Sequence, residues 1–187
     1  MCARAAEALR RRFTRPALRA LAALLPLALL PGLPGPPGLS APAARAEPEQ
    51  ATATVVSIGD GDTLRLRQAG RLLTVRLACI DAPELAQRPW GPLARHYLQE
   101  RLPLGSVVTL QLKAVDRYGR LVAEVIGELN IGLVMVEDGQ AFAYRRYLSG
   151  CDAQEYLEAE HRASRRRYGV WQVNGGITRP WDFRHRR

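Results

Sequence analysis

Apolar and polar positions alternate from Asp62 to Cys79, and the period-two pattern predicts a β-hairpin. Leu64 and Leu66 fall on one face with Arg65 and Arg67 on the other. Ala69-Gly70 makes the turn, and Val75, Leu77 and Cys79 then oppose Arg76. A strand over Ala53–Ile58 precedes this hairpin, separated by the turn Gly59-Asp60-Gly61. The prolines and glycine of Leu85–Pro92 read as a loop, in which Trp90 is a contact residue or a lid on the core. Ala94, Tyr97, Leu98 and Leu102 have the spacing of one buried helix face, so Leu93–Leu102 reads as a helix. Strands follow at Val107–Leu112 and Leu121–Ile126. Asn130 caps a short helix to Asp138, which Gly139 ends, and Ala141–Tyr144 is a last short strand. Asp152 and Glu155 form a capping box for a helix to about Arg167. Tyr156, Ala159, Ala163 and Tyr168 take its inward side, Gly169 ends it, and Trp171 packs back. Short strands with helices inserted late suggest a small Greek-key barrel of five strands.

The ends of the chain change the charge balance. Residues 1–46 read as an export leader, with a basic stretch that includes Arg4, Arg10, Arg11, Arg12, Arg15 and Arg19. Leu21–Leu33 is apolar but interrupted by prolines, and Ala44-Arg45-Ala46 supplies a cleavage site. An exported protein starting at Glu47 is expected, by the general or, from Arg10–Phe13, the twin-arginine route. An uncleaved N-terminal anchor is the alternative. Without seven of the 27 basic and one of the 18 acidic residues, 20 and 17 remain, a net charge of +3 instead of +9. Overall basicity is therefore weak support for a nucleic-acid partner, and local placement matters more. The expected organisation is a leader at 1–46, one domain at 47–173 and a basic tail at 174–187 on which no regular structure is imposed. No stable membrane association is expected once the leader is removed.

Cys79 and Cys151 are the pair left after the leader. A free thiol suits the apolar face that carries Cys79, but not the polar loop around Cys151. A bridge is expected in an oxidising compartment, where closing a loop of roughly 70 residues contributes about 4 kcal/mol.

The chemistry concentrates in Asp62, Arg76, Asp81 and Glu84. The hairpin returns Asp62 to the neighbourhood of Asp81, and Pro83 holds Ala82 extended. Three carboxylates and a guanidinium are costly to gather unless a cation or phosphate joins them. Two hard aspartate ligands with room for water suit Ca²⁺, and less well Mg²⁺. His96, His161 and His185 are too scattered for zinc. Asp116-Arg117-Tyr118-Gly119-Arg120 adds a turn dense in phosphate-binding side chains.

These motifs carry a resemblance. Asp60-Gly61-Asp62-Thr63, Arg76, Asp81-Ala82-Pro83-Glu84 and Asp116–Arg120 occur in the order found in the thermonuclease family, typified by staphylococcal nuclease. Gly91-Pro92, Gly139 to Tyr147 and Gly169-Val170-Trp171 extend the similarity over most of the mature chain. The resemblance implies an OB-fold β-barrel with about three helices and a Ca²⁺-dependent phosphodiesterase. In that scheme Asp62, Asp81 and the Ala82 carbonyl hold the cation, and Glu84 positions or deprotonates the attacking water. Arg76 and Arg120 clamp the phosphate. Arg117 and Tyr118 would contact substrate, and Tyr144 and Tyr147 stand where the family stacks nucleotides. DNA and RNA, preferably single-stranded, would be cut at the 5′-oxygen to leave 3′-phosphate ends, by a monomer.

The chain departs from the family at Ala82, where threonine is usual, in a shorter Glu84–Arg120 segment, and in Arg117 for lysine. A barrel that binds single strands without cutting them is the rival. Such a binder gains nothing from Asp62, Asp81 and Glu84, which repel phosphate without a cation.

Overall fold

The computed structural model describes residues 51–186. The expected leader and the segment to residue 50 lie outside the described residues. The alternating segments form β1 (Ala51–Ile58), β2 (Thr63–Gln68) and β3 (Arg71–Leu77). Leu64, Leu66, Val75 and Leu77 point into the barrel, while Arg65 and Arg67 are exposed. Gln68 pairs with Arg71 across a two-residue turn. Ala69 and Gly70 both take positive φ there, 45° and 77°, the geometry whose twist matches that of the flanking strands.

A two-residue strand, β4 (Ile80–Asp81), leaves the barrel and leads to α1 (Trp90–Arg101). α1 starts three residues earlier than Leu93. Pro92 lies in its first turn, where the missing N–H has no partner to lose. Trp90 packs against a second apolar cluster, as a lid rather than a contact residue. Two longer strands follow, β5 (Val107–Val115) and β6 (Leu121–Ile126). The strands close in the order β1-β2-β3-β6-β5, with β3 and β6 parallel and the other neighbours antiparallel. This is the five-stranded barrel with OB-like connectivity that the sequence predicts.

The helical layer comprises α2 (Ile131–Glu137), β7 (Phe142–Ala143) and α3 (Ala153–Arg166). Asn130 caps α2 and Asp152 caps α3, each accepting the backbone N–H three residues on. Tyr168, expected on the inward face of α3, is instead exposed. The helix has already stopped at Arg167, in the left-handed region at φ 57°. Gly169 is required for another reason: a Cβ there would stand 2.0 Å from the Gly139 carbonyl oxygen. Trp171 does pack back, edge-on to Phe142 at 5.2 Å.

The basic tail also differs from expectation. Pro180–His185 forms a fourth helix, α4, with Pro180 at its first position. Among the described residues no helix is long and apolar enough to cross a membrane.

Cys79 and Cys151 are bridged across a sequence separation of 72 residues. The bond joins the exit of β3 to the loop before α3. Replacing both cysteines by alanine is expected to lower the unfolding free energy by about 4 kcal/mol, from loop-closure entropy. Urea unfolding of the oxidised protein beside the double variant measures this directly. Equal midpoints would mean that the bridge contributes nothing.

Candidate active site

The turn before β2, the β4 strand, the Asp116–Arg120 turn and α4 surround an open cleft of about 910 Å³. Its floor is the charged cluster expected from the hairpin. Asp62 enters from the turn, where its N–H donates to Asp60 Oδ1 at 3.0 Å. Gly61 allows this turn to approach closely: a Cβ would lie 2.7 Å from that of Ala82 and 2.9 Å from that of Ala94. Alanine in place of a larger residue at 82 suits the same contact, since Ala82 is buried against the turn. The Ala82 N–H donates to Asp62 Oδ2 at 2.9 Å and fixes that carboxylate across the two strands.

Arg76 joins the two aspartates. Nη1 reaches Asp62 Oδ1 and Nη2 reaches Asp81 Oδ1, both at 2.5 Å. Side-chain exposures of 18% for Arg76, 5% for Asp62 and 0% for Asp81 place the trio at the dry base of the cleft. Burial opposes the charge on Arg76, but Asp62 and Asp81 outweigh it and raise its pKa. The Asp81 carboxyl is pushed up, chiefly by burial and also by Asp62, against the pull of Arg184 and Arg76. Asp60 is raised by the same causes, burial first and Asp62 second.

The Glu84 loop is pinned through its backbone. Glu84 N–H donates to Gln87 Oε1 at 2.9 Å, and its carbonyl accepts from Gln87 N–H at 2.8 Å. Gly91 lets α1 pass over it, since a Cβ at 91 would be 2.0 Å from the Glu84 oxygen. The Glu84 carboxylate therefore stands at the cleft edge, beside the buried aspartates.

Arg120 lines the cleft but does not join Arg76. Its Nε donates to Asp116 Oδ2 at 2.7 Å, while Asp116 Oδ1 accepts the N–H groups of Tyr118 and Arg120. These bonds outweigh the cost of burial and lower the Asp116 pKa. Arg117 and Arg120 flank the exposed Tyr118 ring, 4.8 and 5.4 Å from its centroid. Tyr144 and Tyr147 meet edge to face at 4.9 Å on another part of the wall.

Two residues in the cleft escape the sequence reading. Trp181 lies flat on Tyr144, with centroids 4.9 Å apart and planes 2° from parallel. Arg184 reaches Asp81 Oδ2 at 2.7 Å, Asp81 Oδ1 at 3.1 Å and Glu84 Oε1 at 2.6 Å. Proline followed by Trp181 and Arg184 at helical spacing was the available signal.

The donor set fits a hard divalent cation. Two carboxylates converge closely enough to share one guanidinium in a desolvated floor, where Arg76 and Arg184 supply the counter-charge that a hard cation would share. Asp62, Asp81 and the Ala82 carbonyl are the groups that would hold it. Among the described residues no group of three or more His, Cys, Asp or Glu side chains forms a ready cage. The cleft above the two aspartates is open, with volume for water and a phosphate.

The architecture is that of a barrel nuclease, and comparison with known proteins agrees. The family described as staphylococcal nuclease homologue matches residues 74–173. A micrococcal nuclease of Shigella flexneri is 40% identical over 140 residues, covering 70% of this chain and 78% of that protein. An uncharacterized endonuclease of Haemophilus influenzae is 39% identical over 131 residues, covering 69% and 71%. Another, from Escherichia coli O157:H7, is 32% identical over 135 residues, covering 71% and 84%. The chain belongs to the staphylococcal nuclease family, and its enzyme class is that of a phosphodiester-hydrolysing nuclease.

Proposed function

We propose that this protein is an exported, calcium-dependent nuclease that cuts DNA and RNA, single strands preferentially, as a monomer. The carrying observation is the buried pair Asp62 and Asp81, clamped by Arg76 beneath an open cleft with Glu84 at its edge. Ca²⁺ bound there would neutralise phosphate oxygens and orient a water. With a cation held by Asp62 and Asp81 as their counter-charge, the Arg76 fork would be available to a phosphodiester. Glu84 takes a proton from water as its oxygen attacks phosphorus. The bond to the 5′-oxygen breaks in line, and the phosphate stays on the 3′ side. The leaving 5′-oxygen takes a proton from solvent water in the open cleft to become a hydroxyl. Charge that grows on the equatorial oxygens is held by Arg76, and by Arg120 once it turns from Asp116.

Tyr147 offers an exposed ring to a base, Tyr144 stacks on Trp181 beside it, and Tyr118 and Arg117 stand beside the phosphate path. Such stacking is tolerant of sequence and favours unpaired strands, whose bases are free to reach it. Export rests on the leader-like pattern of residues 1–46 and accords with the Cys79–Cys151 bridge, a bond that persists in oxidising compartments.

Cleavage of single-stranded DNA with Ca²⁺, with Mg²⁺ and with chelator tests the proposal. Cutting is expected with Ca²⁺, weakly or not at all with Mg²⁺, and not with chelator. Strand binding without cutting under all three conditions would leave an OB-fold binding protein instead.

A further inference from the structure

The tail that carries Arg184 is built into the fold. Gly175 and Gly176 turn the chain back at positive φ, 73° and 79°. Ile177 N–H then donates to the Val170 carbonyl at 3.1 Å. The Arg179 guanidinium lies against the Phe142 and Trp171 rings, 4.2 and 4.8 Å from their centroids. Pro180 is buried, and Trp181 packs its edge against Phe142 at 6.2 Å and its face on Tyr144. Arg184 stands one turn beyond Trp181, on the face that these contacts aim into the cleft.

The tail grips Glu84 twice. Buried Gln87 accepts the Glu84 N–H through Oε1 and donates through Nε2 to the Thr178 carbonyl at 2.8 Å, tying the Glu84 backbone to the tail. Arg184 holds the carboxylate itself. Among the described residues it is the one side chain bonded to that group. A half-exposed glutamate at a cleft edge has several rotamers open to it, and a fixed guanidinium selects one. The same fork binds Asp81 in bidentate fashion, setting the separation between the two acids.

We propose that Arg184 is a positioning residue of this active site, orienting Glu84 against Asp81, and that α4 is the element that completes the site. The proposal rests on the nuclease reading above. It treats the tail as part of the catalytic unit, held in place by Arg179, Trp181 and Gln87. Arg184 is not a cation ligand, and its positive charge beside Asp81 opposes a second cation there. Its loss therefore should not weaken cation binding.

The full-length protein, Arg184→Ala and Arg184→Lys decide the matter through three measurements. These are steady-state cleavage of single-stranded DNA at saturating Ca²⁺, calorimetric titration of Ca²⁺ without substrate, and thermal unfolding. Arg184→Ala is expected to lower kcat about 10- to 100-fold, the scale for losing a group that orients a reacting one. KM should move less than about threefold, because the contact is not made to substrate. Calcium affinity should be unchanged or tighter. Lysine keeps the charge without the fork and should restore part of kcat. If Arg184→Ala is unstable, the lysine variant alone decides, and wild-type kcat there overturns the proposal.

Wild-type kcat in a folded Arg184→Ala overturns it too. Faster cutting with tighter Ca²⁺ binding also does so, since α4 would then be a plug that competes with the cation. A loss of Ca²⁺ affinity in step with kcat would mean that Arg184 acts through the cation instead. Failure of the wild-type protein to cut at all removes the nuclease reading itself, an outcome distinct from the others.

Discussion

Glu84→Gln is expected to lower kcat for single-stranded DNA by about 10²- to 10⁴-fold, the contribution of a positioned general base, the role proposed for Glu84. Glutamine preserves the shape of the side chain and still presents an oxygen to Arg184 Nη1, so the loop keeps its geometry. What it lacks is the charge that lets an oxygen take the proton of water. The loss should therefore fall on kcat, with KM and strand affinity nearly unchanged. Initial rates at saturating cation, beside binding of a labelled oligonucleotide, separate the two. Activity within a few-fold of wild type would assign the base elsewhere.

Arg76→Ala is expected to affect both activity and stability. Removing a donor aimed at the charge that develops in the transition state costs about 10²- to 10³-fold in kcat. The folded state suffers separately, because Arg76 compensates two carboxylates at the base of the cleft. Breaking a buried pair by deleting one partner typically costs about 3–5 kcal/mol. Arg184 still compensates Asp81, which places the expected loss toward the low end. Calcium should reverse much of it, since a cation that shares the aspartates with Arg76 binds the variant more tightly than the wild type and therefore stabilises its folded state more. Thermal unfolding of wild type and Arg76→Ala in chelator and in calcium measures this. The gap between their midpoints should be wide in chelator and narrow in calcium. A gap of equal size in both would mean that Arg76 and the cation do not share the aspartates.

The floor of the cleft was legible for one physical reason: it is local. Arg76 lies on a single hairpin, with Asp62 just before it and Asp81 just after it; its alternation dictates which side chains share a face, and its two-residue turn fixes the register. The caps at Asn130 and Asp152 are equally local, and both form. Arg120 shows where that logic stops. Its composition suits a phosphate clamp, but Asp116 four residues away in the same turn holds the guanidinium. Arg184 shows a different limit. It lies 100 residues from Glu84, in a Gly-rich and basic stretch whose composition suggests disorder. Only the aromatic and Arg179 contacts, invisible to periodicity, bring that stretch home.

β4 and β7 are two residues long, yet they join the halves of the cleft. Ile80 pairs with Ala143 and Asp81 with Phe142, while Tyr144 N–H donates to the Cys79 carbonyl at 2.8 Å. The acids come from one side of this seam, and Tyr144, Tyr147 and Trp181 from the other. The barrel is consequently not a transplantable module. Cut away from its helices it would keep Asp62 and Arg76 but lose Tyr144, Trp181 and Arg184. Recombination between relatives would have to carry both sides of the seam together, and the unit that evolution or an engineer can exchange is the pair of layers.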